Sequence, residues 1–209
     1  MSIKEKRLKI DCGEIYLESL FHNTESSLAA IITHPHPLYG GSMYNNVVHD
    51  AVKAFAASGI TTLRFNFRGV GSSTGKYGEG VEEREDFLAA FTFLKKIQSI
   101  PSILPVGYSF GSYVIYHSLN QIEEKCTVIL IAPPVDVMDF AENETLKQHQ
   151  FFIITGESDE YCSPRSAEKL ALRLDAQLTV FPQIDHFFRG ESEKLQGEIT
   201  RCINMFCSR

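Results

Sequence analysis

Ser109, Asp159 and His186 are the three residues of this chain from which a nucleophile, an orienting acid and a general base can be assembled. A serine hydroxyl is scarcely ionised at neutral pH, so it attacks a carbonyl only if a neighbouring base takes its proton. An aspartate on the far imidazole nitrogen fixes the tautomer of that base and stabilises the imidazolium. Ser109 stands at the centre of Gly107-Tyr108-Ser109-Phe110-Gly111, a Gly-x-Ser-x-Gly pattern. Apolar Ile103, Leu104 and Val106 precede it, and Tyr113, Val114, Ile115 and Leu119 follow in a stretch that can be helical. Strand, sharp turn and helix form the context this motif requires, with glycines where strand and helix pack too closely for a side chain. The amide of Phe110 then lies at a helix start, where it faces an incoming oxyanion.

A set of this kind needs a scaffold that gathers distant segments. Residues 8–11 and 15–21 are short extended runs around Cys12-Gly13-Glu14, a hairpin signal. The run 28–33 is unbroken apolar sequence closed by threonine, as in strands buried on both faces. Further strands are expected at 60–67, before Ser109, and at 127–131, 151–155 and 178–181. Helices are expected at 45–57, 81–97, after Ser109, from Ser163-Pro164 to 174, and from 191 to about 206. Strand and helix alternate with short connections, the pattern of a mostly parallel α/β sheet covered on both faces. In such sheets ligands collect at the carboxyl ends of the strands. Five strand ends carry polar or glycine-rich loops: 34–41, 66–75, Ser109, Asp159, and Asp185-His186. Nucleophile, acid and base follow one another in that order, each at or just past a strand end.

Composition narrows the class. The chain has 209 residues, 44% of them hydrophobic and 22% charged, with no internal repeat or linker, which predicts a single domain over 1–209. A formal charge of −6 and the lack of a Lys/Arg stripe argue against a nucleic-acid partner. Met1 to Arg7 is charged and no apolar segment follows, so neither a signal peptide nor a membrane partner is expected. Five scattered cysteines without Cys-x-x-Cys spacing fit reduced thiols and a cytoplasmic location. Cys162 is expected to be a packed thiol.

Along nearly its whole length the sequence resembles the α/β-hydrolase superfamily, and in particular the small capless bacterial hydrolases related to dienelactone hydrolases and short-chain esterases. The matching stretches are His34-Pro35-His36-Pro37-Leu38-Tyr39-Gly40-Gly41, Phe65-Asn66-Phe67-Arg68-Gly69-Val70-Gly71-Ser72-Ser73-Thr74-Gly75 and Gly107-Tyr108-Ser109-Phe110-Gly111. Gly156-Glu157-Ser158-Asp159 and Asp185-His186-Phe187-Phe188 complete them. The resemblance implies an α/β-hydrolase fold, with a mostly parallel eight-stranded sheet, helices on both faces and no separate cap domain. Two departures stand out. Dienelactone hydrolases use a cysteine nucleophile where this chain has Ser109, so their substrate does not carry over. The family's His-Gly loop is replaced by His-Pro-His-Pro. Proline lacks an N–H, so within 35–38 only His36 and Leu38 offer an amide to partner that of Phe110 in an oxyanion hole; His36 is preferred. Tyr39 and Tyr108 are expected to contact substrate. Asp159 holds the position most of the family uses for the acid, with Asp136 in reserve.

Other signals are weaker. Gly69, Gly71 and Gly75 suggest a phosphate loop, but Val70, Thr74 and Tyr77 break both nucleotide-binding patterns, so turn geometry is expected and no cofactor. His34-x-His36 is half a metal site with no completing ligands, and no metal is expected. Arg68 is expected to pair with a buried carboxylate. The reading is a serine hydrolase acting on a carboxylic ester or related small acyl substrate. The alternatives are a peptidase or thioesterase with the same three residues, or a non-catalytic binding protein on the same fold.

Overall fold

The structure is a computed structural model that describes residues 3–97 and 100–207. Strands β1 (Lys6–Cys12) and β2 (Ile15–His22) form an antiparallel hairpin. Its turn passes through Gly13 at φ 64°, a backbone that glycine adopts without strain. The remaining strands are β3 (Leu28–Thr33), β4 (Thr61–Phe65), β5 (Ser102–Tyr108), β6 (Thr127–Ile131), β7 (Gln150–Gly156) and β8 (Gln177–Phe181). They join in one eight-stranded sheet of order β1-β2-β4-β3-β5-β6-β7-β8. β2 meets β4 antiparallel, and every pair from β4 to β8 is parallel. This is the mostly parallel sheet expected from the alternation of elements.

Five helices cover it: α1 (Asn46–Ala57), α2 (Glu83–Lys95), α3 (Phe110–Ser118), α4 (Pro164–Leu174) and α5 (Ser192–Cys207). Because side chains alternate across a strand, each central strand feeds two cores. Ala29, Ile31, Val128, Leu130, Phe151 and Ile153 join α2, α3 and α4 through Phe87, Phe91, Val114 and Leu170. Ala30, Ile32, Ile129, Ile131, Phe152 and Ile154 join α1 and α5 through Val48, Val52, Leu195 and Ile199. Unbroken apolar runs are therefore required on these strands, and that is what the sequence supplies. Buried Asp50 on α1 accepts hydrogen bonds from Ser192 Oγ at 2.6 Å and Gln196 Nε2 at 2.8 Å, tying α1 to the start of α5.

Most element ends fall within one or two residues of expectation, and two of the shifts can be seen in the hydrogen bonding. The strand expected over 60–67 stops at Phe65; the Asn66 amide still reaches the Glu18 carbonyl on β2, while its side chain accepts from the Met43 amide. Helix α2 begins at Glu83 rather than 81, since the buried Glu83 carboxylate first collects the amides of Gly78 and Gly80, both at 2.7 Å. The β6–β7 connection, 132–149, carries only the short 3-10 turn Glu144–Gln148, so no cap domain is inserted there.

Candidate active site

β5 ends at Tyr108 and α3 begins at Phe110, leaving Ser109 alone at the turn with φ 53° and ψ −118°. A non-glycine residue in that region is strained, and such strain persists only where surroundings over-determine it. Here they do. The Ser109 amide donates to the Ile131 carbonyl at 2.9 Å, fastening the turn to the end of β6. A Cβ on Gly107 would stand 2.6 Å from the backbone nitrogen of Ser112. One on Gly111 would collide with Thr33 Oγ1 and come within 2.9 Å of the His34 carbonyl oxygen. Both glycines are required by the close approach of α3 to β5 and β3.

His186 follows β8, and its Nε2 lies 2.9 Å from Ser109 Oγ. Its Nδ1 lies 2.9 Å from each carboxylate oxygen of Asp159. Asp159 is held in turn by the amides of Tyr161 and Cys162 at 2.9 and 3.0 Å on Oδ1, and by Thr155 Oγ1 at 3.3 Å on Oδ2. All three residues are buried. With Nδ1–H pointed at the carboxylate, Nε2 is free to accept the serine proton. The loops bearing acid and base are laced together: the Ser158 amide donates to the Ile184 carbonyl at 2.9 Å and Glu157 to that of Phe181 at 2.8 Å. A Cβ on Gly156 would stand 2.6 Å from the Ile184 carbonyl carbon, so only glycine lets these loops meet. The structure thus brings together three residues separated by up to 77 positions.

The His-Pro-His-Pro loop divides its two histidines. His34 is fully buried; its Nε2 accepts the Phe67 amide at 3.0 Å, so Nδ1–H donates to the Pro35 carbonyl at 2.7 Å. Burial pushes its pKa down to about 4, and it is a neutral structural residue with no nitrogen left for a metal. Among the described residues no cluster of three His, Cys, Asp or Glu is placed to hold one. His36 is half-buried beside the site and its Nδ1 accepts the Leu38 amide at 3.2 Å. That bond occupies one of the two donors expected from sequence. The amides of His36 and Phe110 donate to none of the described residues.

Several sequence expectations resolve differently from one another. Tyr108, expected at the substrate, is 2% exposed and its hydroxyl donates to the His186 carbonyl at 3.0 Å. Tyr39 is 86% exposed and packs on the His36 ring. Asp136, the reserve acid, instead accepts the Ser163 amide and the Ser166 hydroxyl at the start of α4. Asp185 accepts the Phe187 amide at 2.9 Å. Arg68 is clasped by buried Asp86 with Glu82 and Glu85, the structural pairing expected of it. Glu18 gathers Asn66 Nδ2 and the Ser72 amide, so the glycine-rich loop is pinned to β2 as turn structure. Burial raises the Cys162 thiol to about 12, as befits a packed residue.

Three residues near the site were given no role at it by sequence reasoning. Tyr161 sets its ring 4.8 Å from that of His186, and Phe187 lies 5.5 Å away on another side. Tyr77 places its hydroxyl 3.0 Å from His36 Nε2. In the sequence Tyr77 figured only as the residue that spoils a phosphate loop; an aromatic after a glycine-rich strand end was the available signal.

Comparison with known proteins agrees with this fold. No family model matches the chain. It is similar to an α/β serine hydrolase homologue from Coxiella burnetii, with a TM-score of 0.86 and 31% identity over 96% of this chain and 98% of that one. It is also similar to a lidless α/β serine hydrolase from Xanthomonas campestris, with a TM-score of 0.87 and 28% identity over 99% and 96% of the two chains. An uncharacterized protein of Rickettsia prowazekii is 35% identical over 185 residues, covering 84% of this chain and 76% of its own. By fold, by elbow and by these likenesses, the chain belongs to the α/β-hydrolase superfamily.

Proposed function

We propose that this protein is a serine hydrolase that cleaves a carboxylic ester or related small acyl compound through an acyl-enzyme on Ser109. The observation that carries the reading is the hydrogen-bonded chain from Ser109 Oγ through His186 to Asp159, 2.9 Å at each link. Ser109 Oγ bonds to the acyl carbon as its proton passes to His186 Nε2. Negative charge gathers on the carbonyl oxygen, where the free amides of Phe110 and His36 receive it. Collapse breaks the bond to the leaving oxygen, which takes the proton from His186. Water then repeats the sequence on the acyl-enzyme and releases the acid. Losing one oxyanion donor typically costs about 2.7–4 kcal/mol, so the preference for His36 over the engaged Leu38 amide has consequences for rate.

The surroundings favour an apolar acyl group. Leu38, Tyr39, Tyr161 and Phe187 are exposed hydrophobic residues carried on the loops that bear the donors, the acid and the base. With no cap inserted between β6 and β7, the mouth is open to a small or flexible substrate. Five unpaired cysteines and a small-molecule substrate suit action in the cytoplasm without a nucleic-acid or membrane partner; among the described residues no helix is long and apolar enough to cross a membrane.

The test is turnover of p-nitrophenyl esters of graded chain length by the wild type and Ser109→Ala. Short and medium esters should be hydrolysed by the wild type alone. Hydrolysis of thioesters or peptides with esters untouched would move the substrate class, and ester turnover surviving in Ser109→Ala would end the covalent reading.

A further inference from the structure

The two amides proposed to receive the oxyanion belong to residues whose side chains touch each other, a relationship that rests on the serine-hydrolase reading above for its meaning. The His36 and Phe110 rings lie 4.9 Å apart between centroids. Tyr77 closes the group, its ring 5.2 Å from His36 and 6.0 Å from Phe110. Since His36 Nδ1 accepts the Leu38 amide, the imidazole proton is on Nε2 and is donated to the Tyr77 hydroxyl oxygen 3.0 Å away. His36 is therefore held by both ring nitrogens and by its faces.

Tyr77 is a firm anchor. Nearby, the Thr74 amide donates to the Tyr16 carbonyl on β2 at 3.0 Å, and the Gly78 amide to the buried Glu83 carboxylate on α2 at 2.7 Å. The His36 segment is less secure on its own. It is one 3-10 turn, Pro37–Tyr39, with Leu38, Tyr39 and Gly40 exposed. Its backbone bonds are local, the amides of Tyr39 and Gly41 both returning to the His36 carbonyl at 3.1 Å.

We propose that Tyr77 and His36 are positioning residues that fix the separation of the two oxyanion donors by seating the His36 ring against Phe110. The arrangement acts on the transition state rather than on substrate binding. Donors must meet the oxyanion at about 2.7–3.1 Å, and a misplacement of about 1 Å costs on the order of a hundredfold in rate.

Two variants test it. Tyr77→Phe keeps the ring and deletes the hydroxyl. His36→Asn keeps an acceptor for the Leu38 amide and deletes the ring and Nε2. Each is assayed with p-nitrophenyl butyrate, with active sites counted by fluorophosphonate labelling. The expected result is a fall of about tenfold in kcat per labelled site with KM unchanged, short of the roughly hundredfold or more that follows loss of a donor outright. Affinity for a trifluoromethyl ketone, whose adduct on Ser109 carries an oxyanion, should fall in parallel. The double variant should lose no more than His36→Asn alone, because the hydroxyl then has no imidazole to hold. A Tyr77→Phe enzyme with wild-type kcat per labelled site, a change confined to KM, or a loss of thermal stability alone overturns the clamp. A wild type that neither labels nor turns over sinks the hydrolase reading and the clamp with it. A wild type that does both, beside unaffected variants, sinks the clamp alone.

Discussion

The hydroxyl of Tyr108 donates to the backbone carbonyl of His186 at 3.0 Å. The residue immediately before the nucleophile thus holds the main chain of the base, so β5 fixes both partners of the proton transfer. Tyr108→Phe keeps the buried ring and removes this bond, leaving a buried carbonyl without its donor. The expected cost is about 1–3 kcal/mol of stability, with kcat reduced several-fold as His186 loosens. Urea unfolding and kcat per labelled serine measure the two effects; a variant unchanged in both would show that the bond positions nothing.

The strained turn makes a second prediction, on stability alone. Ser109 has φ 53°, a conformation costly to any residue with a Cβ and cheap for glycine. Ser109→Gly should be more stable than Ser109→Ala by about 1 kcal/mol, with both inactive. Equal melting temperatures would mean that the elbow stores no strain.

Asp159 and Asp136 separate cleanly. Asp159→Asn keeps the shape but favours the wrong imidazole tautomer, and turnover should fall by about four orders of magnitude, as in the protease precedent. Asp136 caps the start of α4 through Ser163 and Ser166. Asp136→Asn should leave kcat nearly intact and lower stability by no more than about 1 kcal/mol. Steady-state kinetics of the pair would reverse the assignment if the larger loss fell on Asp136.

The sheet, its helices and the three residues joined at Ser109 were legible because each rests on a local rule. Apolar runs such as 28–33 and 127–131 have the look of strands buried on both faces, and the glycines around Ser109 mark a close crossing. What the sequence could not show depends on side-chain direction across loops. Whether the His36 or the Leu38 amide is free turns on the His36 imidazole folding back onto Leu38. The bond from Tyr108 to the His186 carbonyl was not legible because the inward or outward sense of a residue at a strand end is set by the elbow, not by its type. Tyr77 was missed because its partner, His36, lies 41 positions away on another strand end.

His34 predicts acid lability. Burial lowers its pKa from 6.5 to about 4, so the folded protein keeps it neutral while the unfolded chain takes up a proton. Its contribution is present above pH 6.5 and is lost as pH falls from there toward about 4. By linkage the change amounts to about 3 kcal/mol at most. His34→Gln keeps an acceptor for the Phe67 amide but cannot be protonated. In urea unfolding series across this range, the stability gap between wild type and variant should narrow toward acid. Parallel curves would show that His34 does not carry the effect.

Covalent capture of the nucleophile is decided by one labelling experiment. Wild-type protein is incubated with a fluorophosphonate and digested, and the modified residue is located and quantified by mass spectrometry. Ser109 should carry the phosphonyl group at close to one per chain, with loss of esterase activity in step with labelling and no labelling of unfolded protein or of His186→Ala. An unlabelled Ser109 in folded, active enzyme, or label spread over other serines while activity persists, would contradict catalysis by Ser109.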